Sequence, residues 1–115
     1  ATISDIHRAA LHHATDDQTV LTNVFSGKPA RGLINRVIRD VGPIAAEAPP
    51  FPAAGAALAP LKAVAEKAGS GDFSSLWSGQ AAALGRDLEA GDLTRALASD
   101  ASQRLGLLTG GPAKD

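Results

Sequence analysis

The stretch Val20-Leu-Thr-Asn-Val-Phe-Ser-Gly-Lys-Pro-Ala-Arg-Gly-Leu-Ile-Asn-Arg36 contains the sharpest change of local pattern in the 115-residue sequence. The segment Thr19 to Phe25, which overlaps its first part, is rich in β-branched residues and predicts the only convincing strand of the chain. Ser26 to Gly32 reads as a loop, in which Pro29 suits the first turn of a following helix. We expect that helix to run to about Val41, because Gly and Pro come next.

Apolar spacing and capping residues predict helices at four further places. These are Ser4 to about Ala14, Ala56 to Ala68, about Leu76 to Arg86, and a last helix capped by Asp92 with Leu93, Ala96, Leu97 and Leu105 directed inward. The chain is therefore expected to be mostly α, with about five helices and one strand.

The single predicted strand raises a problem of pairing. A lone strand has unpaired backbone groups on both edges and does not form a stable sheet. No second segment reads as a strand, so either the strand prediction is wrong or its partner lies outside this sequence. Residues 43–55 hold four of the seven prolines and predict an irregular connection.

Composition limits both the core and the class of protein. Hydrophobic residues make up 44% of the chain, but 24 of them are Ala, so the core that it can build alone is thin. No run of 18 apolar residues occurs, and a net charge of −1 argues against a basic nucleic-acid binder. Without a signal-peptide pattern or any Cys, a cytoplasmic protein is expected, with neither nucleic acid nor membrane as partner.

Neither the histidines nor the loop around Lys28 has the residue spacing of a familiar metal or phosphate site. His7, His12 and His13 lack metal-ligand spacing, so we expect two solvent-facing imidazoles, one half-buried imidazole and no metal. Gly27-Lys28-Pro29 fails as a phosphate loop, because Pro follows Lys and removes a backbone N–H. Lys28 and Arg31 could still contact an anion near a helix N-terminus, although a simple turn is the plainer interpretation.

The only tryptophan stands in Trp77-Ser-Gly-Gln80. Ser78 lacks the Gly-x-Ser-x-Gly context of a nucleophile. A large aromatic residue beside Gly can form the wall of a pocket, with Ser and Gln as polar groups inside it. From the residues alone, Trp77 as the main core anchor is the favoured interpretation.

Taken together, the Ser-Gly-Lys-Pro-Ala-Arg-Gly string, the Pro-rich connection and the Trp-Ser-Gly-Gln string resemble the C-terminal third of the nitronate monooxygenases, formerly called 2-nitropropane dioxygenases. The resemblance covers about Ser4 to Leu97. It implies an oxidoreductase, an FMN flavoprotein built on a (β/α)₈ TIM barrel, that oxidises alkyl nitronates with O₂ and needs no metal. The chain would then be the C-terminal part of an α/β barrel enzyme.

The resemblance also implies roles for individual residues. Ser78 would lie nearest to substrate and flavin, Gly79 would permit close approach, Gln80 would supply a polar contact and Trp77 would wall the cavity. The loop-structuring residues would be Ser26, Gly27, Lys28, Pro29 and Arg31, with Lys28 and Arg31 fixing the loop rather than touching FMN.

The chain departs from the family in its length. A (β/α)₈ barrel needs about 250 residues, and the family's catalytic His and Gly-rich flavin-phosphate strings lie upstream of the matched region. We therefore expect residues 1–105 to be the end of the barrel plus a helical cap, residues 106–115 to be a flexible tail, and the upstream barrel to be the partner. Such a segment has no catalytic residue and is expected to be inactive alone. The alternatives are a segment of an FMN-dependent enoyl-acyl-carrier-protein reductase and an independent small helical protein-binding module.

Overall fold

The computed structural model describes residues 3–110, which fall into two compact units that divide after Gly85. The described part is mostly helical, with a two-stranded sheet. It has four α-helices rather than about five, and two short 3₁₀ turns at Asp16–Gln18 and Ala82–Leu84. The elements are α1 (Asp5–His13), β1 (Thr19–Thr22), β2 (Ala30–Leu33), α2 (Arg36–Val41), α3 (Ala54–Lys67) and α4 (Ala90–Leu108).

The strand predicted at Thr19 has its partner within the chain. β1 pairs antiparallel with β2, with Thr19 opposite Leu33 and Thr22 opposite Ala30. The prediction that the chain offers no partner was therefore wrong, and so was the helix expected from Pro29. Leu33, Val37 and Ile38 are all buried. Leu33 belongs to a strand, whereas Val37 and Ile38 belong to a separate helix.

A third extended segment lies on the other side of β2. Trp77 forms an antiparallel bridge with Gly32. Leu33 N donates to Leu76 O at 2.8 Å, and Ser78 N donates to Arg31 O at 3.2 Å. These bonds hold residues 76–78 extended, so the helix predicted from Leu76 to Arg86 is wrong apart from the 3₁₀ turn at Ala82–Leu84.

Two apolar clusters form the core of the first unit. One contains Val24, Phe25, Val37, Ile38 and Ala45. The other contains Ala14, Leu33 and Leu76, with Ile6 of α1 packed against it. The hairpin and the segment after Gly71 contribute to these clusters, so the two sequence strings are parts of one packed body.

Helix boundaries follow the capping signals in most cases. The Ser4 side chain accepts from His7 N at 3.2 Å and begins α1, as predicted. α2 ends before Gly42, whose φ of 95° suits glycine. α3 spans Ala54–Lys67, close to the predicted range.

The second unit contains α4, whose start at Ala90 precedes the predicted cap Asp92. No residue of this helix is buried, and Leu97 and Leu105 are 58% and 62% exposed, contrary to the inward direction expected for them. The tail predicted to be flexible begins at residue 106, but α4 includes residues 106–108. Residues 111–115 lie outside the described part, so the flexibility of the tail stays a prediction. No helix between residues 3 and 110 combines the length and apolarity needed to cross a bilayer.

Candidate functional site

The structure brings the two sequence strings into direct contact. Arg31 and Gly32 belong to the hairpin string, whereas Trp77 and Ser78 belong to the Trp-Ser-Gly-Gln string. They meet through the Gly32–Trp77 bridge and the bond from Ser78 N to Arg31 O at 3.2 Å. A Cβ atom on Gly32 would lie 3.0 Å from Leu76 O, so a glycine permits this close approach.

Trp77 is partly in the core and partly at the surface. Its ring packs edge-on against Phe25, with centroids 5.8 Å apart and an interplanar angle of 85°. This T-shaped arrangement is a favoured one for aromatic pairs. Trp77 is nevertheless 38% exposed, so it both anchors the hairpin and presents an indole surface on which another group can pack.

The three residues after Trp77 are accessible, and the Ser78 side chain is lightly constrained. Ser78 is half-buried, and its Oγ donates to Gly79 O at 3.0 Å. A Cβ atom at Gly79 would meet nothing within 4 Å. Gln80 lines an open depression of about 470 Å³ together with Thr15, Asp16, Ala81, Ala83 and Leu84. Trp77, Ser78 and Gly79 do not line that depression.

The loop between β1 and β2 is fixed by its own residues. Ser26 Oγ donates to Lys28 O at 2.8 Å. The Lys28 ammonium lies 4.7 Å from the centre of the Phe51 ring, a cation–π contact with the Pro-rich connection. Arg31 Nη1 donates to both Thr19 O and Thr19 Oγ1, at 3.2 and 3.1 Å.

Gly27 lies where the hairpin loop meets the Pro-rich connection. Its φ is +83°, a conformation that favours glycine. A Cβ atom there would lie 2.4 Å from Phe51 N and 2.5 Å from Pro49 O. The loop and residues 49–51 therefore pack backbone against backbone.

The histidines occupy the environments expected from the sequence. His7 is half-buried, whereas His12 and His13 are exposed. His7 Nε2 lies 2.9 Å from Trp77 O, within hydrogen-bond distance. Between residues 3 and 110, no group of three or more His, Cys, Asp or Glu side chains could hold a metal ion.

Two asparagines that the sequence analysis did not single out organise the surroundings. Asn23 Nδ2 donates to Ala45 O and its Oδ1 accepts from Ala45 N, both at 2.9 Å. Asn35 Nδ2 donates to Gly71 O and Ser74 O, both at 2.9 Å. Each asparagine comes within two residues of the end of a strand, a position at which a side-chain amide often bonds to backbone; only this weak signal could have identified them.

Comparison with known proteins identifies the family to which this chain belongs. The family profile described as "Nitronate monooxygenase" matches residues 1–100. A nitronate monooxygenase of Pseudomonas aeruginosa is 38% identical over 95 residues, which are 82% of this chain and 27% of that protein. A probable nitronate monooxygenase of Staphylococcus saprophyticus is 30% identical over 100 residues, which are 87% of this chain and 28% of that protein.

A solved structure agrees with this match. It is described as a nitroalkane oxidase from Streptomyces ansochromogenes and superposes with a TM-score of 0.73 at 35% identity, covering 88% of this chain and 29% of that one. The paired strings therefore lie in a segment that this chain shares with these relatives. The chain belongs to the nitronate monooxygenase family, and it spans less than a third of the length of these relatives.

The family implies a flavin. The residues of the two strings suit the ring system of that group better than its phosphate. An exposed indole, a hydroxyl and a glycine without a side chain suit a flat polar ring system. A phosphate needs free cations or a cradle of backbone N–H groups, but Lys28 already packs on Phe51 and Arg31 on Thr19. The residues from Trp77 to Gln80 thus suit a wall beside a flavin ring, whereas Lys28 and Arg31 are already engaged with Phe51 and Thr19.

Proposed function

We propose that this chain is the C-terminal portion of an FMN-dependent nitronate monooxygenase that oxidises alkyl nitronates with O₂. The observation that carries the proposal is the bond from Ser78 N to Arg31 O, because it joins the two family strings directly. The family match across residues 1–100 supports the same conclusion. The upstream barrel would be the partner of this unit within a longer protein.

Under this proposal, the chain supplies one side of the substrate pocket. The Trp77 indole forms an apolar wall, and its edge-on packing with Phe25 keeps that wall in place. The Ser78 hydroxyl, which donates to Gly79 O in this structure, can rotate and donate to a nitronate oxygen instead. Gly79 leaves room for close approach and Gln80 offers an amide, while FMN supplies the redox chemistry when bound.

The proposal places no proton-transfer group in this segment. The family resemblance puts the catalytic His upstream, and the described residues would hold only the ring side of the flavin. We therefore expect the isolated 115-residue chain to carry no flavin and to show no turnover. Purification of this chain with a bound flavin, visible by its absorbance, would contradict that expectation.

The test of the pocket is Ser78→Ala in a longer protein that includes the barrel. Among residues 3–110, the Ser78 hydroxyl bonds only to the neighbouring Gly79 carbonyl, so we expect a change in unfolding free energy of less than about 0.5 kcal/mol. Loss of a hydrogen bond to a reacting oxygen should reduce kcat/KM for a nitronate by about tenfold or more.

The matched control is Ser102→Ala, which removes an exposed hydroxyl from α4. It should leave both kinetics and stability unchanged. If Ser78→Ala left both kcat and KM at the wild-type values, Ser78 would have no place in the substrate pocket.

A further inference from the structure

His7 contacts the backbone between Trp77 and Ser78, although it lies 70 positions away in sequence. Its Nε2 is 2.9 Å from Trp77 O. A ring nitrogen that faces a carbonyl oxygen must carry the hydrogen, so His7 is the donor. The contact joins α1 to the Trp-Ser-Gly-Gln string.

The pairing of Trp77 with β2 explains why its carbonyl is available. The bonds across the bridge come from flanking positions, Leu33 N to Leu76 O and Ser78 N to Arg31 O. In such an antiparallel pair, the N–H and C=O of the central residue point to the opposite edge. The Trp77 carbonyl therefore lies on the outer edge of the segment, where His7 occupies the place of a further strand.

The same peptide unit is thus held from both sides. Its oxygen accepts from His7 Nε2 at 2.9 Å, and its N–H, which belongs to Ser78, donates to Arg31 O at 3.2 Å. Two opposed bonds restrict rotation of the peptide plane, and that plane sets the direction of the Ser78 side chain. Gly71 lets α1 pack close to the segment that leads to Trp77, because a Cβ atom at Gly71 would lie 2.9 Å from Ile6 Cγ2 of α1.

We propose that His7 is a positioning residue that fixes the Trp77–Ser78 peptide plane and, through it, the direction of the Ser78 hydroxyl in the substrate pocket. The consequence for turnover rests on the proposed function, but the fixation of the peptide plane does not. His7 acts as a hydrogen-bond donor in this role, so another donor of similar reach can replace it.

The first experiment measures hydrogen exchange of the Ser78 amide in the full 115-residue chain. His7→Leu keeps much of the volume and removes the donor, so we expect exchange to become about tenfold faster, as for the loss of one hydrogen bond. His7→Gln retains an N–H donor and should restore most of the protection. His13→Leu, at an exposed position of the same helix, is the control and should exchange as the wild type does.

The second experiment measures nitronate turnover in a longer protein that includes the barrel. We expect His7→Leu to lower kcat by roughly tenfold with a smaller change in KM, since a misdirected hydroxyl weakens the transition state more than binding. His7→Gln should recover most of that loss.

The two experiments separate the two ideas. Unchanged Ser78 exchange in His7→Leu, or no rescue by His7→Gln, would overturn the positioning role. If the wild-type longer protein oxidised no nitronate, the proposed function would fail while the exchange result still decided the role of His7.

Discussion

Gly27 shows how strongly a single position can constrain the hairpin loop. Two separate costs oppose any side chain there. The first is the positive φ, and the second is the contact with the backbone of residues 49–51. Gly69, just after α3, has a similar φ of +79° but nothing within 4 Å of a built Cβ. The pair therefore separates conformational strain from steric conflict.

We expect Gly27→Ala to reduce the free energy of unfolding by roughly 3 kcal/mol or more, from strain and overpacking together. Gly69→Ala should reduce it by only about 1 kcal/mol, from strain alone. Urea unfolding followed by the emission of Trp77, the single tryptophan, measures both. Equal losses in the two variants would mean that the loop does not pack on residues 49–51 as described.

At the scale of elements, Asn35 connects the end of the hairpin to the turn at residues 71–74. Its side chain is 5% exposed, and both amide hydrogens point at carbonyl oxygens. The Oδ1 atom is buried without a hydrogen-bond partner among the described residues. The donor end of this amide is therefore what links the two elements.

Asn35→Ala should cost about 2 to 3 kcal/mol in unfolding free energy, because a buried carbonyl loses its donor. Asn35→Asp keeps the shape but turns a carboxylate oxygen toward two carbonyl oxygens, so it should cost at least as much at pH 7. Urea unfolding of both variants provides the comparison. A well-tolerated Asn35→Asp would show that shape, rather than hydrogen bonding, matters at this position.

The same elements show what could be predicted from the sequence. Local signals identified α1, α3 and the start of β1, because a capping serine and apolar spacing act within a few residues. β2 was missed because Ala30 and Gly32 have low strand propensity and because Pro29 suits a helix start. The extended segment at Trp77 was missed because its bonds come from β2, far away in sequence.

The candidate site was predictable only through resemblance. Composition and spacing favoured Trp77 as a core anchor over a pocket wall; the structure packs it on Phe25 and leaves it 38% exposed. The roles of Ser78, Gly79 and Gln80 stay predictions. The contact of His7 with Trp77 depends on tertiary packing of α1, which no local pattern encodes.

At the scale of the whole molecule, both core clusters of the described part of the chain lie within residues 3–85. α4, in the second unit, has no buried residue, and its ion pairs Arg86–Asp100 and Arg95–Asp92 are exposed. Exposed ion pairs contribute little, and most of the stability of a helix in a protein comes from packing of its apolar face.

Ending the chain after Gly85 should therefore change the free energy of unfolding by less than about 0.5 kcal/mol, because both core clusters described above are retained. Unfolding in urea followed by the emission of Trp77 measures this change. Far-ultraviolet circular dichroism should lose only the helical signal of α4. A loss of several kcal/mol in the truncated chain would show that residues after Gly85 stabilise the first unit.

The bridge between Gly32 and Trp77 also has a consequence for the order of folding. The β1–β2 hairpin closes a short loop, whereas the bridge must close a much longer one at a larger entropic cost. We expect the hairpin to be formed in the folding transition state and Trp77 to dock afterwards. The kinetic φ-value, which compares the effect of a substitution on the folding rate with its effect on stability, should then be near zero for Trp77 and higher in β1. The segment proposed to meet the substrate would then be the last to assemble, and it would remain responsive to whatever packs against it.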